Sequence, residues 1–148
     1  MPLYPVYHAD KAGAVVSGGN IREFQIELTA MFDATMQEVR EDLIELSLDA
    51  ERLLKQGSPV VTGQFRSNWH ISVGGPDALV QVGPGGELGA ISGEALATYP
   101  KDAWPVIVVQ NNVAYAIKLE EGSSNQAPQG VVAVAIPAVQ AIWDAKKR

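Results

Sequence analysis

The sequence predicts an α+β fold: a long N-terminal helix packed on a small antiparallel β-sheet, with short helices and a C-terminal helix. Three observations point there. Apolar residues recur every three or four positions through the first third of the chain, which is the helical period. Beyond Gly57 they come instead in short runs broken by Gly and Pro, the signature of strands and turns. Between the two lies a junction, Ser58–Trp69, in which almost every local signal changes character.

A chain of 148 residues is one domain's worth and long enough to bury a core without covalent staples. We expect an extended arm over residues 1–20 and a single α+β domain over 21–148. The arm carries Tyr4, Tyr7, His8 and several glycines without a sustained period, and is either a loose terminus or a segment that orders on a neighbouring subunit. There are no cysteines, which excludes disulfides, thiolate zinc sites and Cys nucleophiles and fits a reducing compartment. The N-terminus lacks a basic stretch followed by an apolar one, and no apolar run approaches a membrane span of ~20 residues. Eleven basic against seventeen acidic residues leave a net charge of −6, which disfavours phosphate-gripping nucleic-acid binding.

The first element is the clearest. Phe24, Leu28, Phe32, Met36, Val39, Leu43, Leu46, Ala50 and Leu53 form one helical face, with Glu38, Glu41, Asp42, Glu45, Asp49 and Arg52 opposite. Asn20 can cap the start with Glu23 behind it. Alternation at Phe24, Ile26, Leu28 and Ala30 also fits a strand, but nothing stops a helix before Gly57. The stripe reads first as a core face lying on the sheet, and its width leaves room for contact with a second subunit. Gly57 is placed to end the helix in left-handed backbone, and Pro59 prevents it from resuming. Thr62-Gly63 offers a cap or turn, and Arg66 and Trp69, three apart, share a face of any helical turn there.

Further on, Trp69–Val73 and Ala78–Val82 alternate on either side of Gly74-Gly75-Pro76 and predict a hairpin. Residues 83–89 read as a loop, and Ser92–Tyr99 as a short helix stopped by Pro100. Val106–Val109 is an unbroken β-branched run that suggests burial on both faces. Residues 114–121 fall into helical register, with Gly122 as a stop. Val131–Lys146 is ambiguous, since its first residues are β-branched and Pro137 sits inside. An apolar face is clear from Pro137 through Val139, Ile142 and Trp143, with Lys146, Lys147 and Arg148 complementing the helix dipole.

The residues Ser58-Pro59-Val60-Val61-Thr62-Gly63-Gln64-Phe65-Arg66-Ser67-Asn68-Trp69 resemble the TPVDTGRLRxxW signature of the neck and tail-completion proteins of long-tailed bacteriophages. That family's second signature, NNxPYAxxLExGxSxQAPxGM, has its counterpart in Asn111 to Gly122 and Ser124 to Gly130. The resemblance covers roughly residues 30–143. Matched positions are Pro59, Thr62, Gly63, Phe65, Arg66, Trp69, Asn111, Tyr115, Ala116, Leu119, Glu120, Gly122, Gln126, Ala127, Pro128 and Gly130. Val61 stands where the family has Asp and Gln64 where it has Arg. The resemblance implies a non-enzymatic structural virion protein with no cofactor: a head–tail joining ring component, surrounding the DNA path. Its partners would be copies of itself in a six- or twelve-fold ring, the head connector or head-closure protein, and the tail terminator or tail tube protein. DNA would pass through the lumen without specific binding, and no membrane is involved. The chain would reside in the virion, after assembly in the host cytoplasm.

Catalytic chemistry has little support in the residues. Of two histidines, His70 alternates with Trp69 and Ile71 and reads as an exposed strand residue. No Gly-x-Ser-x-Gly elbow is present, and Gly83-Pro84-Gly85-Gly86 lacks the Gly-Lys-Ser/Thr of a phosphate loop. The helix carboxylates lack the His partners of a metal site. Glu120 lies near a helix C-terminus, where the dipole disfavours an anion, so it needs a partner. Arg66 is the expected one, by a bidentate pair joining the two motifs, with Asn111 and Tyr115 hydrogen-bonding nearby backbone. The alternative is that each motif serves local turn geometry alone. The competing function is a small ligand-binding or hydrolytic domain of a mobile element, which a pocket holding His70 and a carboxylate favours.

Overall fold

The computed structural model describes residues 21–82 and 88–146, with side chains from residue 30 onward. The expected N-terminal arm, the Asn20–Glu23 cap, most of the 83–89 loop and the terminal Lys147-Arg148 lie outside the described residues. Two compact units divide the chain, one ending at Glu41 and one running from Asp42 to Lys147. The architecture is α+β.

Helix α1 runs Ile21–Gly57 without interruption, about 55 Å at ~1.5 Å per residue. In its first unit Met31 and Phe32 are exposed. In the second unit the helix buries Ser47, Glu51, Leu54 and Ser58 beyond its end, not the expected apolar stripe. Leu43, Leu46 and Ala50 are only half-buried. At ~100° per residue the two faces are offset by roughly 90°. The reason is a polar anchorage: Glu51 accepts a hydrogen bond from Ser92 Oγ at 2.9 Å and pairs with Lys55 at 3.4 Å.

Gly57 does not end α1 in left-handed backbone, since the positive-φ glycines are Gly63, Gly74, Gly122 and Gly130. The stop comes from Ser58, whose N–H donates to Lys55 O and whose Oγ donates to Leu54 O, and from the missing donor of Pro59. The left-handed turn falls at Gly63, φ 83°, immediately before the single-turn helix α2, Gln64–Ser67. Within α2, Phe65 points inward and Arg66 outward, so Trp69 shares its face with Phe65 and not with Arg66.

Strand β1, His70–Val73, pairs antiparallel with β2, Ile107–Gln110, in the register His70↔Gln110 to Val73↔Ile107. The predicted hairpin with Ala78–Val82 does not form. Side chains take up the backbone there instead: Asn68 bonds both the N–H and the C=O of Gln81, and Asn112 donates to Leu79 O. The β-branched strand is half-buried, with Val106 exposed, and not covered on both faces. Helix α3, Gly89–Ala97, packs against β1, with Ser92 Oγ accepting the Ile71 N–H. Helix α4 is Ala116–Glu120, and α5 is Val132–Lys146, starting five residues before Pro137. The core of this unit joins Leu54, Phe65, Trp69, Val113, Ala127, Val131 and Ala135, with Leu53 and Val109 against it.

Candidate functional site: a clasp between two motif segments

The two segments that carry the resemblance meet in one place. The buried end of α1 offers Leu54 and Ser58. Trp69 reaches back so that its Nε1–H donates to Ser58 Oγ at 2.8 Å, closing the junction into a loop. Phe65 packs edge-on against Trp69, with ring centroids 5.6 Å apart, and against Tyr115 of the second motif at 6.3 Å. Pro59 is buried at the start of this loop, and Thr62 Oγ1 accepts the Gln64 N–H, which opens α2.

Two amide side chains then sew backbone to backbone. Asn111 Nδ2 donates to Phe65 O at 2.7 Å, while its Oδ1 accepts the Val113 N–H. Gln126 Oε1 accepts the Val60 N–H at 2.9 Å and its Nε2 donates to Val60 O at 3.2 Å, as a neighbouring strand would. Ala127 is in the core, with Ala116 and Leu119 packed beside it. Tyr115 contributes its ring, and among the described residues no hydrogen bond engages its hydroxyl, contrary to expectation.

Glu120 does not pair with Arg66. Its Oε2 accepts the N–H groups of Val131 and Val132, and its Oε1 that of Ala133, all at 2.8–2.9 Å. These are orphan donors of the first turn of α5, so the carboxylate sits where the helix dipole favours it. Burial pushes the Glu120 carboxyl up, but the donors of Val132, Ala133 and Val131 outweigh it and hold the group below its ordinary value of 4.5. Arg66 stays exposed. The approach is close enough to demand glycine. A Cβ on Gly130, φ 88°, would meet Glu120 O and Oε1 at 2.7 Å, and one on Gly122, φ 90°, would collide with Pro128 O. Pro128 itself is exposed.

Beside the clasp is a polar knot that sequence reasoning missed. His70 is fully buried, not an exposed strand residue. Its Nε2 lies 2.8 Å from Asp77 Oδ1 and its Nδ1 3.0 Å from Asn68 O. Carboxylate and carbonyl are both acceptors, so a neutral ring donates to one of them at a time. Asp77 Oδ1 also accepts from Leu79 N–H and Asn112 Nδ2. Burial raises the Asp77 carboxyl, and the hydrogen bond and charge of His70, with those donors, bring it below its ordinary 3.8. The one available signal was the run of amides, Asn68, Gln81, Gln110 and Asn112, whose donors and acceptors have to be matched somewhere.

A histidine and a carboxylate are thus together, but with both ring nitrogens engaged and no ring surface open to a substrate. Ser92, the buried hydroxyl of α3, is committed to Glu51 and Ile71 N–H. Among the described residues no His, Asp and Glu group is arranged to hold a metal ion, and no helix is long and apolar enough to cross a membrane. An apolar groove of about 370 Å³ lies between the later turns of α1 and α5, lined by Leu43, Leu46, Ala50, Ile136, Val139 and Trp143 among others. It holds no ionisable group.

Comparison of the chain with family models, characterised proteins and solved structures finds no match.

Proposed function

We propose that this chain is a structural virion protein of a tailed bacteriophage, a neck or tail-completion subunit that joins the head connector to the tail around the DNA path. The observation that carries the reading is what the motif residues do. Asn111, Gln126 and Glu120 direct their polar atoms at backbone of the other segment or of the next helix, and Phe65, Trp69 and Ala127 fill the core between them. Residues used in this way set the shape of a building block. The half-exposed apolar stripe of α1 supports the same reading, because a neighbouring copy is the natural cover for a contiguous apolar face on a ring subunit.

The partners on this reading are identical copies in a six- or twelve-fold ring, a head-closure protein on one side and a tail terminator or tube protein on the other. Electron microscopy of the purified chain and of virions tests it. A closed ring of that symmetry, matching density at the neck, is the expected result. A chain that never closes into rings and is missing from the neck overturns it. The hydrolytic alternative has the His70–Asp77 pair in its favour and requires that pair to open. Turnover of an ester or phosphoester by the purified chain, abolished in His70→Ala, would replace the structural reading.

A further inference from the structure

The segment Ala78-Leu79-Val80-Gln81-Val82 has the sequence of a strand and no strand beside it. Its inward side is fully engaged. Leu79 N–H donates to Asp77 Oδ1, Leu79 O accepts from Asn112, and Gln81 is bonded through both N–H and C=O by Asn68. Engagement at alternate residues is the pattern of extended backbone, in which successive peptide groups face opposite edges. The N–H and C=O groups of Ala78, Val80 and Val82 therefore face the other way, and among the described residues nothing bonds them. The side chains there are exposed as well: Leu79 by 45%, Val80 by 41% and Val82 by 84%.

Soluble proteins guard such an edge with lysine, proline or an inward charge. This one has none of them between Ala78 and Val82, and the nearest carboxylate, Asp77, is turned in toward His70. On a chain of net charge −6, a stretch free of charge is where a second copy approaches without repulsion. The parity also fits a two-fold axis. Centred on Val80, antiparallel pairing sets Ala78 opposite Val82 and Val80 opposite itself, so that only outward-facing residues form the hydrogen-bonded pairs. An axis at Leu79 or Gln81 would pair only two of these three residues, and one lying between residues would set an outward-facing residue opposite an engaged one.

We propose that residues 78–82 are a self-complementary edge through which two copies of this chain pair as antiparallel strands about a two-fold axis at Val80. The contact is isologous, and so is distinct from the head-to-tail contacts of a closed ring; on ring-forming subunits it would join rings face to face.

The absence of cysteine makes the test clean. Sedimentation equilibrium of the intact chain, with single-cysteine variants and a thiol-specific cross-linker about 5 Å long, reads both the association and its register. Val80→Cys is expected to cross-link to itself. Val82→Cys alone is not, because its symmetry mate lies ~13 Å away, four residues along the strand, yet it should cross-link when mixed with Ala78→Cys. Val80→Lys, an exposed change that sets like charges opposite each other, should raise the two-fold dissociation constant at least about tenfold with an unchanged melting curve. A chain with no two-fold association up to hundreds of micromolar overturns the proposal. So does an association that Val80→Lys leaves intact, or in which Val80→Cys fails to cross-link. Ring closure is read from symmetry and this edge from the cross-link pattern, so each can fail without the other.

Discussion

The clasp and the groove both use the C-terminal half of α1, and they treat it in opposite ways. At the clasp, Leu54 and Ser58 are covered by Trp69, Phe65, Val131 and Ala127, and each buried polar atom named above has a partner. A quarter turn round the helix, Leu43, Leu46 and Ala50 face α5 across open space. Lys146 bridges one end of that space, with Nζ 2.6 Å from Glu45 and 3.4 Å from Asp42. The more apolar face is thus the less covered one. Burial in this fold follows where hydrogen bonds can be completed, and the surplus apolar surface is left at the rim. The stability of the subunit should reside in the clasp.

The largest expected effect is therefore at Trp69. Trp69→Ala removes the ring packed on Phe65 and leaves Ser58 Oγ without its donor, and should cost about 3–5 kcal/mol. Urea unfolding monitored by far-ultraviolet circular dichroism reads this as a lowered midpoint at similar slope. A loss below ~1 kcal/mol, the ordinary range for surface positions, would mean that the clasp is not where the subunit is held.

How far these two regions were legible in the sequence differs for a physical reason. Helix α1 was readable from end to end because its period persists over 37 residues and Pro59 closes it locally. Which side of it would be buried was not readable. The Glu51–Ser92 bond spans 41 residues and turns a charged position inward, overriding hydrophobicity. The hairpin error has the same origin. Ala78–Val82 is as strand-like as Ile107–Gln110, and Asn68 and Asn112 settle the matter from 13 and 33 residues away. Glu120 is the instructive intermediate case. The dipole rule correctly marked an anion at the end of α4 as needing a partner. Arg66 was the obvious cation, but three backbone N–H groups at the start of α5 answer the same electrostatic need without desolvating a guanidinium. They also explain why α5 begins at Val132, ahead of its proline, where periodicity alone was silent.

The next effect in size sharpens that point. Glu120→Gln keeps the shape and one acceptor but removes the charge at the start of α5, and should cost about 1–2 kcal/mol at neutral pH. The folded carboxyl lies below its unfolded value of 4.5. Its contribution is therefore complete above 4.5 and is lost as pH falls through the lower, folded value. Urea titrations of wild type and variant should differ most at pH 7, and the difference should shrink as pH falls below 4.5 toward the folded value. A difference that does not change with pH would assign the loss to packing and not to charge.

The smallest effect is expected in the groove. Leu46 is half-buried and already borders solvent, so Leu46→Gln removes little apolar area from a covered position and adds an amide that water can reach. The cost in the isolated subunit should be about 0.5–1 kcal/mol, several-fold below that of Trp69→Ala, in the same urea assay. The ratio of the two, measured at low protein concentration, tests the division between the faces more severely than either value does. If Leu46→Gln approaches the Trp69→Ala loss in a monodisperse monomer, α5 closes on α1 in solution and the two faces are one core. If the gap between them narrows only as protein concentration rises, the extra cost belongs to association, because mass action makes a subunit contact contribute to stability only when the partner is present.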